Sequence, residues 1–212
     1  MYLAKSPSFL KLIYPQLTWH KSRSQKIVYL TFDDGPIPNV TSFVLNTLKN
    51  YDVQANFFCI GDNIIKHPEI FQAIKASGHR IGNHTFHHLN GWKTPTSTYL
   101  ADVEKCQALT QSNLFRPPYG RIKKTQIKAI LSKLSQNLPA SQKPEIIMWD
   151  VLSADFDPRI TAKTALNNVL NNVQNGSIIV FHDSLKAWDR LSVALPLCIA
   201  ALKAQNYQFG LL

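Results

Sequence analysis

Residues 26–36 read KIVYLTFDDGP. The run 26–32 is apolar, rich in β-branched and aromatic residues, and has the character of a buried strand. It ends abruptly in two adjacent carboxylates, Asp33 and Asp34, followed by a Gly-Pro turn. Neighbouring carboxylates repel unless a cation sits between them or each has its own partner. An Asx-type turn, in which Asp and Gly only reverse the chain, is the simplest alternative.

Working outward from this run, further strand patterns fall at 54–60, 79–82, 113–116, 145–149, 177–181 and 206–211. Between them, segments such as NVTSFVLNTLKN, HPEIFQAIKASG, STYLADVEKCQALTQ and LSVALPLCIAALKAQN carry apolar residues at helical spacing. Gly78 and Gly176 stand just past the last periodic residue of two of these segments, as helix stop signals do. Asp62 and Asn63 read as a helix start. About seven strands alternating with six helices imply an α/β fold with a parallel sheet and helices outside it. A barrel and an open doubly wound sheet both satisfy that pattern. The polar segment SQNLPASQKPE (135–145) reads as a surface loop, and no repeat divides the chain. The expectation is a single domain over 26–212, preceded by an N-terminal extension, 1–25, that packs on it.

The composition agrees with one globular domain. The chain has 212 residues, 45% hydrophobic and 17% charged, enough for a full core and wrong for a disordered chain. Its 23 basic and 13 acidic residues leave a net charge of +10. That excess favours polyanionic surroundings, but the basic residues are scattered and form no nucleic-acid module, so no nucleic-acid partner is expected. Cys59, Cys106 and Cys198 are an odd number without C-x-x-C spacing, which argues against a disulfide framework or a thiolate zinc site. Cys59 reads as a small core residue. No run of 18 apolar residues is present, so no transmembrane segment is expected. The N-terminus lacks a continuous apolar stretch and a cleavage signature, and the expectation is a cytoplasmic chain, compatible with a monomer.

The chemically capable residues sort onto one side of this pattern. Asp33 and Asp34 follow the first strand, NHTFHH (83–88) the third, RPPYG (116–120) the fourth, WDVLSADFD (149–157) the fifth and HDS (182–184) the sixth. All lie at C-terminal strand ends, where α/β folds assemble their sites. His84 and His88 have the i, i+4 spacing of metal ligands, and two imidazoles with one carboxylate leave positions open for water and substrate. A cation also explains the paired carboxylates, because one can ligate it while the other stays free as a base.

TFDDGP, HTFHH, RPPYG, WDVLSADF and VFHD, in this order, resemble the five motifs of the NodB-type polysaccharide deacetylases, carbohydrate esterase family 4. The resemblance runs from about residue 26 to the C-terminus. It implies a distorted (β/α) barrel of seven strands. It also implies a divalent metal held by Asp34, His84 and His88, with zinc the first expectation and cobalt, nickel, manganese or iron the alternatives. Through the resemblance Asp33 is the base, Arg116 orients it, and the Tyr119 backbone N–H stabilises the oxyanion. His182 is the acid and Asp155 holds it. His87 is the variable position of the histidine motif, and Asp183 reads as a turn cap.

The chain departs from the family pattern at Leu152, where a carboxylate is usual, and at Phe156 and Val180, where tryptophan and leucine are usual. Phe156 and Val180 are expected, with Pro118, to line the substrate pocket, and Trp188 to stack on a sugar at the rim. Trp149 reads as core. The implied activity is removal of N-acetyl groups from amino sugars of a poly- or oligosaccharide. The alternatives are an O-acetyl esterase on a polysaccharide such as xylan, and a silent carbohydrate-binding barrel.

Overall fold

The computed structural model describes residues 3–136, 138–139 and 142–212. Nine short strands form one sheet: β1 (Leu17–Thr18), β2 (Ile27–Asp33), β3 (Asn56–Cys59), β4 (Arg80–Asn83), β5 (Leu114–Phe115), β6 (Glu145–Ile147), β7 (Val151–Leu152), β8 (Ile178–His182) and β9 (Gln208–Phe209). Eight helices accompany them: α1 (Ser8–Ile13), α2 (Val40–Asn50), α3 (Gly61–Lys66), α4 (Pro68–Ala76), α5 (Thr96–Thr110), α6 (Lys124–Gln136), α7 (Ala162–Leu170) and α8 (Trp188–Ala204). The strand order is β1-β6-β5-β4-β3-β2-β8-β7, with β9 beside β2, and every named pair is parallel.

The curl of this sheet comes from one segment that changes partners. β6 pairs with β5 and β1, whereas β7, a few residues on, pairs with β8. Between them the Met148 N–H donates to the Thr18 carbonyl (2.8 Å) and the Asp150 N–H to the Ile178 carbonyl (3.0 Å). One bent stretch of chain therefore joins both ends of the sheet and makes a distorted barrel. The strand expected at 145–149 is β6, which ends at Ile147, and a second short strand, β7, follows the bend outside the expected range. Together with β1, which lies within residues 1–25, this raises the expected seven strands to nine.

β2 is the central element because its residues are buried by neighbours on both sides. It pairs with β8 along Tyr29–Asp33, with β3 along Thr31–Asp33 and with β9 at Ile27 and Val28. Phe32 stacks on Phe57 (5.0 Å) and lies 6.3 Å from Phe181 in the core between the sheet and helices α2, α7 and α8. A second cluster, with Phe115, Ile127, Ile130 and Ile146, lies under α5 and α6. The six expected helices are present, α3 forms where Asp62 and Asn63 read as a helix start, and α1 is additional. Of the segment read as a surface loop, residues 137, 140 and 141 lie outside the described residues. All three cysteines are buried free thiols, and no helix among the described residues is long and apolar enough to cross a membrane.

Candidate active site

The loops that leave β2, β4, β5, β7 and β8 meet over the C-terminal ends of the strands. They line a cleft of about 680 Å³ whose floor holds Asp33, Asp34, His84, His88 and His182. Several of these loops hold backbone that a side chain rarely adopts. Asp34, Thr85, His88, Tyr119 and Ala154 all have positive φ, between 56° and 85°. Strained residues of this kind persist where surrounding contacts impose them, and they concentrate at functional sites.

The two adjacent carboxylates point to different partners. Asp33 is buried and its Oδ1 accepts from Arg116 Nη1 at 2.7 Å. Arg116 is fully buried, donates also to the Thr31 hydroxyl (2.7 Å) and the Ile147 and Met148 carbonyls, and lies over the Phe58 ring (4.0 Å). A buried guanidinium with these bonds filled is held rigidly, and it compensates the Asp33 charge.

Asp34 faces the histidines. Its Oδ1 is 3.2 Å from His88 Nε2 and 3.8 Å from His84 Nε2, and one ligand atom from each of the three residues lies within 4.8 Å of the others. His84 Nδ1 lies 2.8 Å from the Arg116 carbonyl, which can only accept. The Nδ1 proton is therefore placed there, and the Nε2 lone pair faces Asp34. Burial of the ring lowers the His84 pKa to about 4, so it is neutral at pH 7. Burial alone would raise the Asp34 pKa. The His88 hydrogen bond and the fields of His182 and His84 reverse that and hold the carboxyl well below the usual carboxylate range. An ionised carboxylate and a correctly oriented neutral imidazole, with a second imidazole alongside, form a donor set that fits a divalent cation.

His87 turns away from this cluster. Its Nδ1 is 2.5 Å from Asp102 Oδ1, and Asp102 Oδ2 accepts from the Phe86 and His87 N–H groups (2.9 Å each). Asp102, in α5, thus clamps the loop that carries His84 and His88.

The segment after β7 faces the end of β8. His182 Nδ1 is 2.7 Å from Asp155 Oδ1, and the His182 N–H donates to Asp155 Oδ2 (2.8 Å). Arg190 in turn donates to the Asp155 carbonyl (2.7 Å). Burial lowers the His182 pKa, but the charge and hydrogen bond of Asp155, with the fields of Asp34 and Asp33, raise it to about 9.

Not every expected residue lies where the sequence puts it. Phe156 and Val180 line the cleft, and so does Leu152. Trp149, read as core, is half-buried and also lines it. Trp188 does not line it: its ring packs edge-on against Phe43 (5.2 Å), because α8 begins there and turns the side chain toward α2. Pro118, expected to line the pocket, is buried and does not line the cleft. Tyr119 lines the cleft, and its hydroxyl is 3.1 Å from His88 Nδ1. Gly120, at φ 65°, leaves no room for a Cβ, which would stand 2.6 Å from Trp149. Asp183 is more than a cap: fully buried, it accepts from the Gly35 N–H (3.0 Å) and the Thr41 hydroxyl (2.6 Å), fixing the turn after Asp34. Thr31, Asp102 and Arg190 were invisible as site residues, although a threonine inside an apolar strand is a usable signal for Thr31.

A family model described as polysaccharide deacetylase matches residues 20–136. The chain is 31% identical over 202 residues to a Bacillus cereus peptidoglycan-N-acetylglucosamine deacetylase, covering 91% of this chain and 89% of that one. The chain belongs to the polysaccharide deacetylase family. It is also 31% identical to the chitooligosaccharide deacetylase of Azorhizobium caulinodans, over 88% and 92% of the two chains. It spans only 38% of the Listeria monocytogenes deacetylase PgdA, at 32% identity over 89% of its own length. The crystal structure of the Bc1960 peptidoglycan N-acetylglucosamine deacetylase superposes with a TM-score of 0.85 at 31% identity, covering 98% of this chain and 95% of that one. The family 4 acetyl xylan esterase of Clostridium thermocellum, solved with cobalt, superposes with a TM-score of 0.70 at 29% identity over 87% of each chain. Membership in this deacetylase hydrolase family is consistent with the distorted barrel and with the polar cleft described above.

Proposed function

We propose that this polysaccharide deacetylase removes N-acetyl groups from amino-sugar units of a glycan, with a divalent cation, zinc in the first instance, held by Asp34, His84 and His88. The observation that carries this reading is the meeting, in one cleft, of that donor set with Asp33–Arg116 on one side and Asp155–His182 on the other. When bound, the cation supplies Lewis-acid polarisation of the acetyl carbonyl and acidifies water at the site. Arg116 binds Asp33 at Oδ1, which leaves Oδ2 to take the proton of the attacking water. The Tyr119 N–H is assigned to the oxyanion that forms at the carbonyl oxygen. His182, with Nδ1 committed to Asp155, gives the Nε2 proton to the departing amine nitrogen. An amine is a poor leaving group unless protonated, so the raised pKa of His182 suits amide cleavage.

The acid role has a pH signature. The imidazolium is the working form and is lost as pH rises through its pKa of about 9, so kcat/KM falls on the alkaline side. A cation at Asp34 would cancel that residue's share of the upward shift, leaving Asp155 as its chief source. Asp155→Asn is therefore expected to move the alkaline limb down by about one unit or more, and a unit is about 1.4 kcal/mol of lost imidazolium stabilisation. A pH–rate profile with the limb unmoved would remove His182–Asp155 from the role of acid.

Acetate release from N-acetylglucosamine oligomers and from acetylated xylan, with zinc added and after chelation, tests the reaction class. Chelator-sensitive release from the oligomers is expected. Release from xylan alone would favour the O-acetyl esterase, and release from neither with metal bound would favour a silent binding barrel.

A further inference from the structure

The cleft carries charge that this chemistry does not use. Among the described residues its only lining carboxylates are Asp33 and Asp34 at the floor, whereas Lys93, Arg121 and Lys186 bring three cations to it. All three are exposed, and none forms an ion pair among the described residues. Lys5, Lys11 and Arg23, by contrast, all converge on Asp150 elsewhere on the barrel.

Two of the three are seated on aromatic rings. The Arg121 guanidinium lies 4.1 Å from the centre of the Trp92 ring, and the Trp92 indole N–H donates to the Ile122 carbonyl (3.0 Å), which fixes the ring. The Lys186 ammonium is 5.8 Å from the centre of Phe156, whose ring packs edge-on against His182 (4.9 Å). A cation held on a ring is oriented and partly desolvated without being neutralised, so it keeps its full charge for a ligand.

The two seats stand on separate walls. Trp92 and Lys93 lie between β4 and α5, and Arg121 between β5 and α6. Phe156 follows β7 and Lys186 follows β8. In the sheet order, β3 and the β2 strand that carries Asp33 separate β4 from β8. A glycan with one sugar at Asp34 therefore meets cations on either side of that sugar.

A neutral polymer of N-acetylated sugars does little to compensate three such charges, whereas oxyanions would pair with them. We infer that this cleft selects an acetamido sugar whose neighbours carry oxyanionic groups, carboxylate or phosphate, and that Arg121 and Lys186 read those groups. The inference rests on the deacetylase reading above and adds the substrate's charge to it.

The test compares kcat/KM of the zinc-loaded protein on three substrates. These are a neutral N-acetylglucosamine tetramer, a glycan strand of equal length with lactyl carboxylates on alternate sugars, and a tetramer bearing a terminal phosphate. The expected result is a preference of about tenfold or more for one anionic substrate at low salt, shrinking as ionic strength rises. Whichever anionic substrate is preferred identifies the group. Arg121→Gln and Lys186→Gln should each reduce the anionic-to-neutral ratio several-fold, through KM, and the double variant should remove the preference and its salt dependence. A wild-type protein without preference, or variants that leave the ratio where it was, would overturn the inference while the deacetylase reading stands. Absence of acetate from all three substrates would overturn the deacetylase reading and this inference with it.

Discussion

Asp33→Asn is expected to lower kcat by about 10³-fold, within the range that a positioned general base contributes, while zinc stays bound. The asparagine keeps the shape of the side chain and can still accept from Arg116, but it cannot take a proton. The donor set of Asp34, His84 and His88 is untouched, so metal content measured after dialysis should match the parent protein. The substitution also strips the buried Arg116 of its counter-charge, and some thermal stability should be lost. Metal content and melting temperature therefore have to be read beside kcat. A loaded, folded variant with near-normal kcat would show that Asp33 is not the base.

The second large effect is expected at His84. His84→Ala removes a ligand that the Arg116 carbonyl already orients. Affinity for zinc, measured by competition with a chromogenic chelator, should fall by more than the roughly 10–100-fold that loss of a supporting contact costs. Turnover should fall with it. His87→Ala is the discriminating control, because its ring is committed to Asp102 and lies outside the donor set. It should weaken zinc binding far less than His84→Ala. Equal losses in the two variants would mean that the ligand set is wrong.

Much of the candidate site was legible because its residues interrupt strong local patterns. Asp33 and Asp34 end an apolar strand, His182 ends another, and the histidines of HTFHH repeat at a spacing that is itself a ligand geometry. The supporting residues were not legible. Asp102 sits in the middle of α5 among residues of ordinary helical character, and only packing brings it to the His87 loop, 15 positions away in sequence. Asp183 and Thr41 are 142 positions apart, and nothing local to either announces their hydrogen bond. Trp149 read as core because aromatic residues at strand ends usually are, yet the bend between β6 and β7 leaves part of its ring on the cleft.

The alternation of strands and helices, and the placing of carboxylates and imidazoles at strand ends, were determined by the sequence, since burial and periodicity act within a few residues. The closure of the barrel was not, because it depends on one segment that pairs first with β1 and then with β8. The partition of Asp33 to Arg116 and Asp34 to the histidines was decided only in three dimensions. Two adjacent carboxylates are chemically identical along the chain, and what separates them is which buried cation or imidazole the fold brings to each.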